Sequence, residues 1–422
     1  MRIMLPYGQD TVPIRVDKKQ LIGVFGPLEA AGVPDPTDKL ARCITNPVGC
    51  KGLETLISVG KKVAIAVNDN TRVTPVRMVL AVLLEKMKSL GVKREHVTIV
   101  VALGTHRPMT DQEMKEKCGP EVAEEYEIVN HEWDDPSSLR SLGKLSGDVP
   151  IYINKRFMEA DVRIGVGNII PHFTAGWSGG SKILLPGLAG EETVAGMHYY
   201  GAKTIPNAVG KDVNPPRTLM NNFAKKVGLH FVINTVLTRS GTVHSVHCGD
   251  FIQAHREGVE NSRRLYSVQI PRLADITIAS SYPADIEFWQ AEKGLYSADL
   301  STRKGGGILL VTPCPEGISA THKAWVDLLA YNSKELEEKI KRKEPEDITA
   351  ASLALCVAKT REPYTVCLVS EGISDKEAEK LHFHKFDDPQ EGLNYLDEKL
   401  GRDSKKLVLT HGGETFPILG SG

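Results

Sequence analysis

The sequence predicts an α/β protein with two lobes, mostly parallel sheets and an active site in the cleft between the lobes. Short apolar runs recur along the chain, and each is followed by a polar loop and then by a stretch of helical periodicity. This alternation is typical of βαβ units, whose strands form parallel sheets. The chain has 422 residues, more than one hydrophobic core usually serves, so two domains are expected. Ligand sites occur preferentially between domains.

Residues 1–270 are predicted to form the N-terminal lobe. Alternating apolar residues near the start indicate a short antiparallel hairpin. A helix is expected to begin near Glu191. Apolar runs predict strands of a parallel sheet at 63–67, 97–103 and 162–166.

Residues 271–405 are predicted to form the C-terminal lobe, with a helix that begins at about Glu287. The last segment, residues 406–422, is predicted to pack back on the N-terminal lobe. Apolar runs predict strands at 276–279, 307–311, 365–369 and 407–409.

The composition excludes several classes of protein. The chain has 52 lysines and arginines against 53 aspartates and glutamates, so it lacks the general basic field that nucleic-acid binding needs. Neither a signal peptide nor a membrane span is predicted, because no apolar run approaches about 18 residues. The seven cysteines never form C-x-x-C, which disfavours a zinc ribbon or a disulfide framework. We therefore expect a cytoplasmic protein that binds neither nucleic acid nor membrane.

Two of the predicted N-terminal strands end in polar loops. The first loop holds Asp69, Asn70, Thr71 and Arg72; backbone N–H groups ahead of a helix suit an anion, and a guanidinium adds a donor fork for phosphate or carboxylate. The second loop holds His106, which can act there as a general acid or base. The alternatives are a helix-capping turn with a surface arginine and a histidine without a catalytic role.

The third loop, residues 168–182, carries His172, a Ser-Gly-Gly-Ser turn and Lys182. It matches neither G-x-x-x-x-G-K-[ST] nor G-x-G-x-x-G, which disfavours a P-loop or dinucleotide site. An apolar run follows Lys182 and would lower the pKa of its amine, making it a nucleophile. His198, on the helix that begins near Glu191, has the side chain of a soft-metal ligand. The alternative is a glycine loop with a surface lysine and a packed histidine.

Gln290 and Lys293 are three positions apart on a predicted helix, so they share one face. An amide beside a cation can hold a small carboxylate; the alternative is a solvated helix face. His244 and His247 have the appearance of metal ligands, but they fall in a predicted strand. Positions three apart in a strand point to opposite faces, which disfavours a metal there.

Taken in this order, the motifs resemble those of the lactate racemase family over nearly the whole chain. The matching motifs are DNTR, GTHRP, PHFTAGWSGGSK, a histidine sixteen residues after that lysine, and Q-x-x-K. The resemblance implies two α/β domains with the active site between them. It also implies a nickel-pincer nucleotide, in which sulfur and carbon atoms of a pyridinium mononucleotide hold nickel.

The resemblance assigns a role to each motif. Lys182 would carry the nucleotide covalently, and His198 would be the protein ligand of nickel. His106 and His172 would be the paired acid/base residues. The remaining groups would bind the nucleotide (Asp69, Asn70, Thr71 and Arg72) and the substrate (Gln290, Lys293 and Arg72).

The reaction that the resemblance implies is inversion of C2 of a 2-hydroxy acid by hydride transfer through a 2-oxo acid. Hydride transfer avoids a carbanion next to a carboxylate. Lactate is the first substrate to expect. Trp289 stands where the lactate-active pattern has tyrosine, and no tryptophan follows Trp325, so a larger acid (malate, a longer aliphatic acid or a sugar acid) remains an alternative. The proteins that make the cofactor would be partners of this chain, and its oligomeric state is left open.

Two alternatives belong to other classes. A zinc-dependent hydrolase would gather the three histidines of the polar loops and helix around one metal ion. A non-catalytic nucleotide- or phosphate-binding protein would use only NDNTR and SGGSK, and its binding would survive loss of both His106 and His172.

Overall fold

The computed structural model of the chain describes residues 1–420 and contains two lobes, each built on a six-stranded sheet. The strands, in chain order, are β1 (Arg2–Tyr7), β2 (Asp10–Arg15), β3 (Leu21–Phe25), β4 (Val63–Asn68), β5 (Val97–Ala102), β6 (Glu127–Asn130), β7 (Leu139–Lys144), β8 (Pro150–Asn154), β9 (Val162–Asn168), β10 (Pro171–His172), β11 (Gly176–Trp177), β12 (Phe231–Leu237), β13 (Val243–Gly249), β14 (Ser267–Ile270), β15 (Ala274–Ser280), β16 (Thr302–Val311), β17 (Thr365–Val369), β18 (His384–Phe386), β19 (Lys406–Leu409) and β20 (Phe416–Leu419).

The α-helices, in chain order, are α1 (Pro36–Thr45), α2 (Leu53–Leu56), α3 (Val76–Ser89), α4 (Asp111–Cys118), α5 (Pro120–Glu125), α6 (Lys155–Met158), α7 (Glu191–Thr204), α8 (Pro215–Val227), α9 (Gln253–Tyr266), α10 (Phe288–Asp299), α11 (Trp325–Leu328), α12 (Ser333–Lys341), α13 (Ile348–Arg361), α14 (Asp375–Lys380) and α15 (Pro389–Leu400). Helices begin at the predicted points near Glu191 and Glu287, and every predicted strand is present.

The sheet of the first lobe has the strand order β13-β12-β9-β4-β5-β6. Neighbouring strands are parallel except for the β12–β13 pair. The chain enters at β4, moves outward through β5 and β6, and then returns to β9 on the other side of β4. Open α/β sheets bind ligands where the strand order reverses in this way, outside the carboxyl ends of the strands. The predicted parallel sheet is therefore confirmed, and it places a candidate site beyond β9, β4 and β5.

The burial of β4 agrees with its position in the middle of the sheet. All of its first five residues, 63–67, are buried, as expected of a strand covered on both faces. Leu80, Leu83 and Met87 of α3 cover one face of the sheet. Met220 and Phe223 of α8 belong to the core on the other face.

The sheet of the second lobe has the order β18-β17-β16-β15-β19-β3, with all neighbours parallel. Strand β3 comes from the start of the chain and pairs with β19 near its end. The β1–β2 hairpin packs Leu5 and Ile14 against Ile278 and Val408 of the same sheet. The predicted boundary assigned residues 1–25 to the first lobe; strand pairing and packing place them in the second lobe instead.

The C-terminal segment has two parts with different neighbours. Strand β19 lies inside the sheet of the second lobe. The prediction places this part on the first lobe, and the structure places it in the second. Strand β20 pairs with β14, and the ring of Phe416 meets the Trp177 ring of the first lobe edge to face, with 6.2 Å between the ring centroids. Residues 421 and 422 lie outside the described residues.

Three further expectations concern particular side chains. His244 and His247 lie in β13, as predicted, and no group of three potential metal ligands occurs within residues 1–420. In the same range, all seven cysteines are free. None of the described helices combines the length and the apolar character needed to cross a membrane.

Candidate active site

The cleft between the lobes holds a cavity with an empty volume of about 900 Å³, its open mouth included. The three polar loops reach it because β9, β4 and β5 are neighbours and end at the same edge of the sheet. Helix α10 of the second lobe closes the opposite side. The cavity is lined by most of the predicted site residues: Asp69, Arg72, His106, His172, Lys182, His198, Gln290 and Lys293.

His106 is held by a carboxylate behind it. Its Nδ1 lies 2.6 Å from Oδ2 of Asp69, while its Nε2 lies 3.1 Å from the side-chain amide nitrogen of Gln290. Burial would raise the pKa of Asp69, but the charge and hydrogen bond of His106 and the charge of Arg72 outweigh burial and hold this pKa well below its usual range. Asp69 therefore stays a carboxylate and takes the Nδ1–H bond, which leaves Nε2 of His106 as an acceptor.

His172 is buried in a different setting. Its Nδ1 accepts hydrogen bonds from the backbone N–H groups of Thr174 and Ala175, at 3.2 and 3.3 Å, and its ring stacks on Phe173. Burial, followed by the nearby positive charges of Lys182 and other basic groups, keeps the pKa of His172 well below its usual range. The ring is therefore neutral, and because Nδ1 is an acceptor, its proton resides on Nε2.

The loop that carries His172 and Lys182 is shaped by two polar side chains that the sequence analysis did not single out. Arg217 of α8 is buried and donates hydrogen bonds to several backbone carbonyls of this loop, among them that of Gly179 at 3.1 Å. Asn234 of β12 accepts from the N–H of Gly180 at 3.1 Å. Gly180 has φ +58°, and a Cβ there would lie 2.9 Å from a backbone oxygen, so the turn requires glycine.

Lys182 lies in a short 3₁₀ segment, Gly180–Ile183, and its side chain lines the cavity. Burial lowers the pKa of its amine far below the usual value, and the positive charges of Arg72 and Arg217 lower it further. Asp69 opposes this shift but does not reverse it. Burial thus favours the uncharged amine, which is the form that attacks an electrophilic carbon.

His198 lies on α7, the helix that the sequence predicts to begin near Glu191. Burial, with smaller contributions from the charges of Lys182, His322 and His106, lowers the pKa of His198 to about 3. A neutral imidazole facing a cavity is the form that binds a transition metal. Its role as a nickel ligand stays a prediction.

Gln290 and Lys293 lie on the same face of α10, as predicted, and both are buried. The Oε1 atom of Gln290 accepts from Nζ of Lys293 at 2.5 Å and from Nη1 of Arg72 at 3.1 Å. Burial and then the charges of Arg72 and Lys182 keep the pKa of Lys293 well below its usual range. Arg72 and Lys293 thus donate to one amide, and Lys182 lines the same cavity. The acids that line it are Asp69 and Glu292, and burial raises the pKa of Glu292 well above its usual range, which favours its uncharged form. An anion would relieve this imbalance.

Asn70 and Thr71 do not line the cavity. The side-chain amide of Asn70 donates to Glu113 at 2.9 Å, and the hydroxyl of Thr71 donates to Asp69 at 2.6 Å. Both side chains therefore shape the loop behind Asp69. Their predicted contact with a nucleotide stays a prediction.

Two polar residues of the third loop line the cavity with unsatisfied atoms, in addition to Glu292 of α10, whose Oε1 is buried without a partner among the described residues. Within the described residues, Nδ2 of Asn168 and Oγ1 of Thr174 are buried and lack a hydrogen-bond partner. Both belong to the third polar loop, so the rule that selected His172 would also have found them. Buried polar groups are normally satisfied, so these atoms indicate room for a polar ligand.

Comparison with known proteins gives the family of the chain. The family model described as lactate racemase N-terminal domain matches residues 7–209, and that described as lactate racemase C-terminal domain matches residues 270–415. A lactate racemase of Lactiplantibacillus plantarum is 31% identical over 332 residues, 75% of each chain. This chain belongs to the lactate racemase family. A second lactate racemase, from Thermoanaerobacterium thermosaccharolyticum, is 30% identical over 323 residues, again 75% of each chain, and members of the family are isomerases.

Solved structures agree with the fold. The lactate racemase apoprotein of Thermoanaerobacterium thermosaccharolyticum superposes with a TM-score of 0.89 at 27% identity, covering 99% of this chain and 100% of that one. A Thermotoga maritima protein shares the fold, with a TM-score of 0.73 at 23% identity over 93% of this chain and 100% of that one. The resemblance and the two-lobed α/β fold are therefore confirmed.

Proposed function

We propose that this enzyme inverts C2 of a 2-hydroxy acid, with lactate as the substrate. The observation that carries the proposal is that two differently held histidines, His106 and His172, share one cavity with a buried basic cluster. Curated relatives named lactate racemase support both the reaction and the substrate. The cluster of Arg72, Gln290 and Lys293 suits the carboxylate that every 2-hydroxy acid carries.

The residues present fit a covalently attached nickel nucleotide. Lys182 offers a neutral amine for the covalent bond, and His198 offers a neutral imidazole to the metal. The unsatisfied polar atoms of Asn168 and Thr174 suit a polar group between them. When bound, this group would supply a carbon that accepts and returns a hydride.

The chain's own residues would supply binding and proton transfer. Arg72 and Lys293 would hold the substrate carboxylate, and Gln290 would orient it beside His106. Nε2 of His106, which accepts from the Gln290 amide in the structure, would exchange this contact for the substrate hydroxyl and take its proton, with Asp69 stabilising the imidazolium that results. His172 would serve the mirror-image isomer. Arg72 and Lys293 would also hold the carboxylate of the 2-oxo acid while the molecule turns, which is a contribution to positioning.

Two other proposals from the sequence have less support. A zinc hydrolase needs a group of protein ligands, and within residues 1–420 no such group occurs. A non-catalytic nucleotide-binding protein does not require His106 to be oriented by a buried carboxylate. We keep the cytoplasmic location and the need for cofactor-making partners as part of the proposal.

Co-expression with the cofactor-making proteins, followed by an isotope experiment, tests the proposed function. We expect L-lactate deuterated at C2 to give D-lactate that keeps deuterium at C2, because a hydride does not exchange with water. Intact-mass spectrometry should show added mass on the wild type and none on Lys182→Ala. Loss of the deuterium to solvent at each inversion would contradict hydride transfer. Inactivity on lactate with turnover of malate, a longer aliphatic acid or a sugar acid would replace the substrate and keep the reaction.

A further inference from the structure

Behind the cavity, a second histidine–carboxylate pair links the two lobes. His322 follows β16 and is 3% exposed. Its Nδ1 lies 2.6 Å from Oδ2 of Asp347, the N-cap of α13, and its Nε2 lies 2.8 Å from the hydroxyl oxygen of Thr105 in the first lobe. Because the carboxylate takes the Nδ1–H bond, Nε2 accepts from the Thr105 hydroxyl. Thr105 also lines the cavity, whereas His322 and Asp347 do not.

The ring of His322 lies between two tryptophans. It stacks on Trp289, with 4.1 Å between the ring centroids and 8° between the ring planes. It also stacks on Trp133, with 6.2 Å between the centroids and 24° between the planes. The indole N–H of Trp133 in turn donates to the backbone carbonyl of His106 at 3.3 Å. His322 is thereby packed between a residue that holds His106 and a residue next to Gln290.

These contacts surround the His106–Gln290 pair. His322 bonds to Thr105, which precedes His106, and it stacks on Trp289, which precedes Gln290. The 3.1 Å contact between His106 and Gln290 crosses from one lobe to the other. Its geometry therefore depends on how firmly these two neighbours are held, and His322 holds both.

We propose that His322 is a positioning residue that fixes His106 against the substrate-binding face of α10. It does not line the cavity and does not touch the reacting atoms. The catalytic part of this proposal rests on the proposed function, in which His106 is an acid/base residue. The placement of the loop by His322 does not depend on that function. A misplacement of about 1 Å at such a group can cost about 100-fold in rate. The contact of His322 with Thr105, called the brace below, would prevent such a misplacement of His106.

Amide hydrogen exchange of the loop tests the brace without any turnover. The N–H of Gly104 is bonded to the carbonyl of Gly187 at 2.9 Å, and that of His106 to Leu103 at 3.2 Å, so both amides are protected. Thr105→Val removes the hydroxyl but keeps the shape, and we expect these amides to exchange about fivefold to tenfold faster. Thr105→Ser keeps the hydroxyl and should exchange like the wild type. Equal exchange in Thr105→Val and the wild type would overturn the proposal.

Kinetics of the cofactor-loaded enzyme gives the second readout. For Thr105→Val and His322→Gln, we expect kcat to fall about 10- to 100-fold with KM within about twofold, while Thr105→Ser keeps most of the activity. The double variant Thr105→Val/His322→Gln should lose no more than His322→Gln alone, because both changes break one contact. Additive losses would refute the shared contact. A thermal melt and the added mass on Lys182 separate this effect from misfolding and from poor loading.

The two proposals can fail separately. If the wild type turns over no 2-hydroxy acid, the proposed function fails, and the exchange experiment still decides whether His322 braces the loop. If the wild type is active and loop exchange does not respond to Thr105→Val, the brace fails and the proposed function stands.

Discussion

The carboxylate of Asp69 and the ring of His106 lie 2.6 Å apart, on loops that follow two adjacent strands of the sheet. The family resemblance implies a contact of Asp69 with the nucleotide, but in the structure its two carboxylate oxygens contact the imidazole and the hydroxyl of Thr71. A buried carboxylate that fixes one ring nitrogen makes the other nitrogen the basic one. This relationship changes what substitution of Asp69 should do.

We expect Asp69→Asn to lower kcat by about 10²- to 10⁴-fold while the mass added to Lys182 stays the same. The asparagine amide would donate to Nδ1 of His106, which moves the ring proton to Nε2 and removes the base. Steady-state rates and intact mass measure the two effects. Asp10→Asn, a charge change in the exposed hairpin turn, is the control and should leave both unchanged. Loss of the added mass in Asp69→Asn would instead favour the nucleotide contact.

His106→Ala and His172→Ala should each reduce interconversion by at least about 100-fold, because each removes a proton-transfer group. Neither variant should lose the covalent nucleotide, since neither side chain bonds to it in the proposed arrangement. Polarimetry with a single enantiomer and intact mass measure this. His384→Ala, at an exposed position of strand β18, is the matched control. Retained turnover in either active-site variant would remove that histidine from its role.

His198→Ala should lower the nickel content of the protein and leave the nucleotide on Lys182. The reason is that a neutral imidazole contributes one metal ligand and no bond to the nucleotide. Elemental analysis gives the nickel-to-protein ratio, and intact mass gives the attachment. A ratio equal to that of the wild type would exclude His198 as the ligand.

The ion pair at the edge of the cleft should be lost on acidification. Hydrogen bonds from Arg107, against the opposing effect of burial, lower the pKa of Glu113 from 4.5 to about 2, and Arg107 also bridges to Glu316 of the second lobe. A carboxylate with a lowered pKa stabilises the fold above its ordinary pKa and loses this effect as the pH falls toward the lowered value.

We therefore expect Glu113→Gln to melt about 2 °C below the wild type at pH 7, with the difference shrinking between pH 4.5 and pH 2. Glutamine can still accept from the Thr110 N–H through its one carbonyl oxygen, but its NH2 group cannot accept from Asn70 as the second carboxylate oxygen does. The change of the gap with pH, and not its size at pH 7, therefore reports the charge. Thermal melts across this pH range measure the gap. Glu121→Gln, whose partner Arg77 is mostly exposed, should show no gap. A gap that is constant with pH would contradict the assignment.

Local sequence signals were enough to predict that most of these residues lie together, for a physical reason. The carboxyl ends of parallel strands meet at one edge, so the loops with His106, His172 and Arg72 had to converge once β4, β5 and β9 were neighbours. The helical spacing of Gln290 and Lys293 likewise fixed their common face. These rules need only short stretches of chain.

The residues that the sequence analysis missed act through long-range contacts. Arg217 and Asn234 shape the glycine loop from α8 and β12, and nothing in their own stretches marks this task. His106 comes shortly after β5, which ends at Ala102, but His322 lies much further beyond β16, which ends at Val311, so the strand-end rule does not select it. Its partner Thr105 lies more than 200 positions earlier in the chain.

The pairing of β3 with β19 has a consequence for how the molecule is made. On the ribosome, the strand Leu21–Phe25 emerges long before its neighbour Lys406–Leu409. The second sheet can gain its edge only after Lys406–Leu409 has been made, with the first lobe already complete. A fragment cut at residue 270 would carry an apolar, unpaired strand, so the two lobes should not be separable by a single cut.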